Sequence, residues 1–228
     1  MTQDPQQSGP NKIIDFSHPA TKTWIGLAIF AVVLSALTAV FDYYPGDVTV
    51  ARALQAISPG EHAWAETVTD TARVPGRYVL LALAVAVAWA AYTWRASLAG
   101  IVAFFTLIGF DLVGKPVFGR PRPSADLIDA PADQTGYSFP STFAMVYVTT
   151  FGLAALALIM NPRGPVRIAG LAVCIIALLI GASARVVLAG HWPSDMVICY
   201  LIGFLWMTLL IRLTYFIPGS SPAPNESE

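Results

Sequence analysis

The stretch from Arg185 to Asp195 places an arginine, a histidine and an aspartate at the junction of two strongly apolar segments. Ionisable groups are costly to place beside hydrocarbon, so such a cluster indicates a functional site. Asp195 follows His191 by four residues, which predicts a carboxylate that accepts a hydrogen bond from one ring nitrogen. The other nitrogen would then be free to act as a nucleophile or a base. For His191 alone, a membrane-surface anchor is the alternative.

Three cations, Lys115, Arg122 and Arg185, accompany this histidine in the same half of the chain. Cations gathered in one place predict an anionic ligand with more than one negative charge, and phosphate is the natural candidate. Two alternatives remain open for these residues. Lys115 lies one helical turn from Asp111, so the two could form an ion pair, and Arg122 could contact anionic lipid headgroups together with Arg120.

The segment beginning at Pro140-Ser141 predicts the start of a helix, because proline favours the first helical position. The backbone N–H groups of Ser141, Thr142 and Phe143 are then expected to be free and to bind an anion.

The composition predicts a polytopic membrane protein, since 56% of the 228 residues are hydrophobic and only 12% are charged. The net charge of −1 gives no reason to expect nucleic acid binding. Cys174 and Cys199 both lie in apolar segments, where a thiol behaves as a small hydrophobic group, and they do not indicate a redox compartment.

The expected fold is all-α, a membrane bundle of about six helices within a domain at residues 24–216. The expected spans are residues 24–41, 78–94, 98–113, 141–160, 168–188 and 196–216. Residues 1–23 and 217–228 are expected to be flexible tails. The long loop after the first span predicts short amphipathic helices at residues 48–57 and 61–72, with a plain solvated loop as the alternative.

Alternation of the six spans brings the ends of the third and fifth and the starts of the fourth and sixth to one face of the membrane. This face collects six candidate residues: Lys115, Arg122, Ser141, Arg185, His191 and Asp195. With the three candidate phosphate-binding cations set aside, six basic residues lie on the side of the N-terminus and four on the other. The basic excess predicts cytoplasmic termini and an extracytoplasmic site.

Three motifs in this region resemble the signature of the type 2 phosphatidic acid phosphatase family, membrane lipid phosphatases related to vanadium haloperoxidases. They are Lys115 with Arg122-Pro123, then Pro140-Ser141, then Arg185 with His191 and Asp195. The resemblance implies a phosphohistidine formed on His191, with Asp195 orienting the ring. It assigns phosphate binding to Lys115, Arg122, Ser141, Thr142 and Arg185, and it implies no metal and no other cofactor. The implied partners are a phosphorylated lipid and the membrane, here expected to be a bacterial inner membrane; the oligomeric state stays undefined.

The chain departs from this family at two positions. Ala184 precedes Arg185 where the family usually has serine, and Phe143 stands where the family has a histidine that acts as general acid. Loss of general acid catalysis costs about 10² to 10⁴ in rate, and the cost is smaller when the leaving group is a weakly basic phosphate. Phe143 in place of the histidine therefore predicts a preference for lipid diphosphates such as a polyprenyl diphosphate.

Two other functions and two further groups of residues are alternatives to this interpretation. One alternative is a catalytically silent relative that binds a phosphorylated lipid, and another is a phosphotransferase that moves the phosphoryl group between lipids. His62, in the long loop, is a weak candidate for a replacement acid. The acidic residues Asp126, Asp129 and Asp133 match no spacing typical of metal ligands.

Overall fold

A computed structural model describes residues 18–58, 60, 62–132, 134–161 and 165–214. Within these ranges the regular elements are helices, in the following order. They are α1 (Pro19–Leu37), α2 (Asp47–Ala56), α3 (Ala63–Asp70), α4 (Gly76–Ala91), α5 (Trp94–Phe118), α6 (Thr142–Tyr147), a π-helical turn (Val148–Gly152), α7 (Leu153–Met160), α8 (Pro165–Val187) and α9 (Pro193–Thr214). Most of both expected tails, at residues 1–17 and 217–228, falls outside the described residues. The first helix begins at Pro19, before the expected span start at residue 24.

The all-α membrane fold is confirmed. Five helices of the described chain are long and apolar enough to cross a membrane: Pro19–Leu37, Trp94–Phe118, Thr142–Met160, Val166–Val187 and Pro193–Thr214. The second expected span corresponds to α4, a shorter apolar helix of 16 residues. At 1.5 Å per residue, α4 is about 24 Å long, less than the roughly 30 Å of bilayer hydrocarbon.

The turn between the second and third spans lies earlier than expected. The sequence placed it at residues 95–97, whereas α4 ends at Ala91 and α5 begins at Trp94. The Thr93 side chain accepts a hydrogen bond from the Ala96 N–H and so caps α5. This cap satisfies one of the free amides of the first turn, and it fixes the start of the helix. The polar run at residues 95–97 therefore forms the first turn of a helix.

The fourth span, Thr142–Met160, lies at the centre of the bundle, with 72% of its most apolar 18-residue window buried. The corresponding share is 17% for both Pro19–Leu37 and Val166–Val187. These two outer helices expose large apolar side chains such as Phe30, Val32 and Leu179. A membrane protein exposes such side chains to lipid, so the central span carries the core and the outer ones face the bilayer.

Both short helices expected in the long loop are present, so the alternative of a plain solvated loop is wrong. Ala51 of α2 and Ala65 of α3 are completely buried. The Arg52 Nε donates to the Leu127 carbonyl oxygen at 2.7 Å, and the Gln55 Nε2 donates to the Asp129 carbonyl oxygen at 2.7 Å. The two helices are thereby fixed over one end of the bundle, beside the start of the central span.

Candidate active site

The predicted convergence of four helix ends is present in the structure. The end of α5, the start of α6 and the turn between α8 and α9 enclose a cavity of about 370 Å³. Five of the predicted site residues line it together with Phe143: Lys115, Arg122, Thr142, Arg185 and His191. Ser141 and Asp195 are completely buried behind this lining.

His191 is buried, and its ring is fixed by two hydrogen bonds. Its Nδ1 lies 2.5 Å from the Ser138 carbonyl oxygen, which can only accept, so Nδ1 must carry the ring proton. Its Nε2 lies 3.2 Å from the Ser141 hydroxyl oxygen, and that hydroxyl also accepts from the Ala144 N–H at 3.2 Å. The Ser141 hydroxyl therefore donates to Nε2. This tautomer leaves a lone pair on Nε2, the arrangement that a nucleophilic imidazole requires.

The expected hydrogen bond between Asp195 and His191 is replaced by the bond to Ser138. The nearest Asp195 carboxylate oxygen lies 3.9 Å from the His191 Nδ1, beyond hydrogen-bonding distance. The same carboxylate accepts from the Trp192 N–H at 2.8 Å and from the Arg120 guanidinium. The four-residue spacing places the Asp195 carboxylate near the His191 ring. The carboxylate oxygen on that side accepts from the Trp192 N–H and not from the ring. Asp195 therefore holds the turn that carries His191.

Arg120, for which lipid contact was one alternative, is a structural residue. Its side chain is completely buried and bridges two carboxylates, Asp195 and Asp47, the second at 3.1 Å. Asp47 in turn accepts hydrogen bonds from the backbone N–H and the hydroxyl of Ser194, at 2.9 and 2.7 Å. The arginine and the two carboxylates link the start of α2 to the segment after α5 and to the start of α9. Lipid contact by Arg120 is excluded by its burial.

The two arginines predicted to bind phosphate both lie beside Gly190, in the turn between α8 and α9. The Arg122 guanidinium donates to the carbonyl oxygens of Thr135 and Gly190, at 3.0 and 2.8 Å. A Cβ atom at Gly190 would lie 2.4 Å from the Arg185 Nη2, so glycine is needed there to make room for the guanidinium. The Arg185 Nε is buried and has no hydrogen-bond partner among the described residues. It is available to an anionic ligand.

Lys115 forms the ion pair with Asp111 that the sequence offered as an alternative. Its Nζ lies 2.6 and 2.7 Å from the two carboxylate oxygens of Asp111 and 2.9 Å from the Thr142 hydroxyl oxygen. The Thr142 hydroxyl also donates to Asp111 at 2.5 Å. Lys115 still lines the cavity and is 26% exposed. The pair orients the ammonium group, and it does not remove Lys115 from the site.

Phe143 forms part of the cavity wall. Its ring stacks on Tyr147, with 4.1 Å between ring centroids. The Arg185 guanidinium carbon lies 5.8 Å from the Phe143 centroid, within the range of a cation–π contact. The aromatic ring therefore contacts a phosphate-binding cation, but it has no proton to donate.

The start of α6 offers fewer free amides than expected. The N–H of Ser141, the residue that caps α6, donates to the Cys199 sulfur at 3.3 Å. The amides of Thr142 and Phe143 come at the first two helical positions, where a helix supplies no carbonyl partner. Of the three amides expected to be free, those of Thr142 and Phe143 thus stay available at the start of α6, beside the cavity.

The electrostatics of the cavity favour neutral His191. Burial, followed by the positive charges of Arg185 and Arg122, lowers the pKa of His191 well below its usual 6.5, although the Ser138 carbonyl acts in the opposite direction. Burial also lowers the pKa of Arg122, partly offset by Asp195. A neutral imidazole keeps the Nε2 lone pair at physiological pH.

Arg73 and Arg77 are site residues that the sequence analysis did not identify. Both line the cavity, Arg73 from the segment that connects α3 to α4 and Arg77 from the first turn of α4. The available signal was their four-residue spacing on the face that carries the other cations.

Two weaker candidates, His62 as a replacement acid and the acidic residues as metal ligands, do not join the site. His62 is absent from the described cavity lining, and within the described residues no cluster of three or more His, Cys, Asp or Glu side chains could hold a metal; Asp133 lies outside them.

A solved structure with a similar fold is the first transmembrane PAP2 type phosphatidylglycerolphosphate phosphatase from Bacillus subtilis, with a TM-score of 0.63 at 18% identity. The similarity covers 85% of this chain and 96% of the bacterial one. No curated protein is similar enough in sequence to count as a match. The sequence model of the PAP2 superfamily matches residues 94–217, more than half of the chain, and the chain therefore belongs to the PAP2 superfamily.

Proposed function

We propose that this protein is an integral membrane lipid phosphatase that works through a phosphohistidine on His191. One observation carries the proposal: a neutral imidazole, whose unprotonated Nε2 accepts a hydrogen bond from the Ser141 hydroxyl, lies in a cavity whose lining includes Lys115, Arg122 and Arg185. These cations neutralise the phosphoryl oxygens as charge develops on them, the main source of rate in phosphoryl transfer. Membership of the PAP2 superfamily supports the same chemistry.

The favoured substrate is a lipid diphosphate such as a polyprenyl diphosphate. Phe143 cannot protonate a leaving group, and among the described residues the cavity lining contains one histidine, the nucleophile itself. A lipid alkoxide leaves poorly without a proton, whereas a lipid monophosphate leaves readily because it is much less basic. The membrane in this proposal is a bacterial inner membrane, with both termini on its cytoplasmic side. The cavity then opens to the extracytoplasmic face, as the distribution of basic residues favours.

The proposal is tested with purified protein in detergent. Phosphatidic acid and a polyprenyl diphosphate serve as substrates, and released phosphate is measured. We expect the diphosphate to be cleaved faster, and His191→Ala to lose essentially all activity. His62→Ala is the matched control, since it removes a histidine outside the cavity, and it should keep the native rate. Equal rates for the native protein and His191→Ala would exclude the enzyme. Faster cleavage of phosphatidic acid would refute the preference.

Trapping the intermediate separates the enzyme from a silent lipid-binding relative, the alternative that Phe143 favours. A terminally ³²P-labelled diphosphate should label the native chain with an acid-labile, base-stable phosphate that His191→Ala lacks. A lipid monophosphate added as acceptor then separates hydrolysis from phosphotransfer. Hydrolysis yields inorganic phosphate, whereas transfer to the acceptor would yield labelled lipid diphosphate in its place.

A further inference from the structure

The cavity lining includes two cations besides Lys115, Arg122 and Arg185. They are Arg73, which follows α3, and Arg77, which lies in the first turn of α4. The Arg77 N–H donates to the Arg73 carbonyl oxygen at 2.9 Å, so the two residues lie one turn apart. These two cations come from the chain before residue 94, whereas Lys115, Arg122 and Arg185 come from the region matched by the family.

The charges of the cavity exceed what one phosphoryl group requires. Five cations line it, and in the described part of the chain no carboxylate does. A transferring phosphoryl group presents three equatorial oxygens, which Lys115, Arg122 and Arg185 can serve. The cavity volume also lies within the range of sites that enclose whole small molecules. Arg73 and Arg77, the outer two arginines of the lining, are therefore not needed to bind the reacting phosphate.

Both outer arginines have donors available for a ligand. Arg73 pairs with Asp70 at 2.5 Å, but the two side chains are 72% and 59% exposed, and such exposed pairs contribute little to stability. A ligand phosphate can displace Asp70 at small cost. The Arg77 Nε is buried without a hydrogen-bond partner among the described residues, while an Nη contacts the Tyr78 hydroxyl at 3.2 Å. A guanidinium binds two phosphate oxygens at once.

We propose that Arg73 and Arg77 form a second anion subsite, which binds the phosphate that remains on the lipid when the terminal phosphate of a lipid diphosphate is transferred. The inference rests on the proposed function and specifies how this chain selects its substrate. Arginine stays protonated at all relevant pH values, so the subsite stabilises the leaving group by charge and does not protonate it. It performs electrostatically what the missing acid at Phe143 cannot do.

The reaction balances without a proton donor. The Nε2 lone pair of neutral His191 attacks the terminal phosphorus, and the bond from that phosphorus to the bridging oxygen breaks. The electron pair of that bond stays on the bridging oxygen, so a lipid monophosphate dianion leaves towards Arg73 and Arg77. Water then attacks the phosphohistidine, the N–P bond returns its electron pair to Nε2, and the two protons of water leave with the product as dihydrogen phosphate.

Binding of two soluble probes to the full-length protein in detergent tests the subsite without turnover. The probes are methylenediphosphonate, a non-hydrolysable diphosphate, and inorganic phosphate, with dissociation constants measured by ³¹P NMR titration. Arg73→Gln/Arg77→Gln should weaken diphosphonate binding at least about tenfold, since bonds to charged groups are strong, and change phosphate binding by less than about threefold. Retained phosphate binding shows that the variant is folded.

Arg52→Gln is the matched control, because it removes a positive charge from α2 without touching the cavity lining. It should leave both dissociation constants unchanged. The subsite is refuted if the double variant binds both probes as the native protein does, or if it weakens both equally. These outcomes are independent of catalysis, since failure of the proposed function is detected separately by equal hydrolysis rates of native and His191→Ala protein.

Discussion

The Ser138 carbonyl oxygen lies 2.5 Å from the His191 Nδ1, so a backbone group sets the tautomer of the proposed nucleophile. A carbonyl cannot donate a hydrogen, and its acceptor strength does not change with pH. Nε2 therefore keeps its lone pair, which accepts from the Ser141 hydroxyl at 3.2 Å, at any pH at which the ring is neutral. The Asp195 carboxylate, at 3.9 Å, is left to hold the turn.

The acid titration of His191 should occur well below pH 6.5. Its pKa is lowered by burial and by the nearby arginines, so the neutral form persists as the pH falls from 7 through 6. Activity should be lost only as the pH falls through the lowered pKa. A His18→Gln/His62→Gln variant leaves His191 as the one histidine of the chain, and its ring can be titrated by NMR without substrate. A midpoint at or above 6.5 would contradict the structure.

Gly190→Ala should impair phosphate binding. Its Cβ would lie 2.4 Å from the Arg185 Nη2, so the guanidinium must move away from the cavity. Loss of a charged hydrogen bond should lower kcat/KM about tenfold to a hundredfold. Gly109→Ala is the matched control, since a Cβ there has no heavy atom within 4 Å. Comparable kinetics for the two variants would show that position 190 does not position Arg185.

Phe143→His should restore cleavage of simple phosphate esters. The imidazole is smaller than the phenyl ring that it replaces, and it supplies a proton donor at the cavity wall. Phosphatidic acid hydrolysis should rise by about 10² or more, while the diphosphate rate changes much less. Phe143→Leu controls for loss of the aromatic contacts with Tyr147 and Arg185. If Phe143→Leu raises the ester rate equally, the missing proton donor is not the cause of the preference.

Arg120→Met should destabilise the fold far more than Arg122→Met. Loss of Arg120 leaves Asp47 and Asp195 buried without their cation, and breaking a buried pair costs about 3 to 5 kcal/mol. Arg122 contacts backbone carbonyls at the cavity, so its loss should mainly raise KM. Thermal unfolding in detergent compares the two. Similar unfolding temperatures would show that the buried arginine does not stabilise the bundle.

Sequence alone predicted the residues that the helices bring together, but not how they bond. Alternation of apolar spans was sufficient to place Lys115, Arg122 and His191 at one cavity, because span order determines which helix ends meet. The role of Ser138 was not predictable, since a backbone carbonyl carries no signature in the sequence. Arg120 and Asp195 lie 75 residues apart, and no local pattern indicates that they pair. Such contacts depend on packing between distant segments.

The cations of the cavity come from different parts of the chain. The family match spans residues 94–217 and includes the proposed nucleophile and three cavity cations, whereas Arg73 and Arg77 precede it. The segment from Thr69 to Arg77 contacts the central span through Thr71, whose hydroxyl lies 2.8 Å from the Tyr147 hydroxyl oxygen. Replacing this segment with the corresponding segment of another superfamily member should exchange headgroup preference and leave the phosphohistidine step intact. Selectivity and reactivity can thus diverge independently within one membrane scaffold.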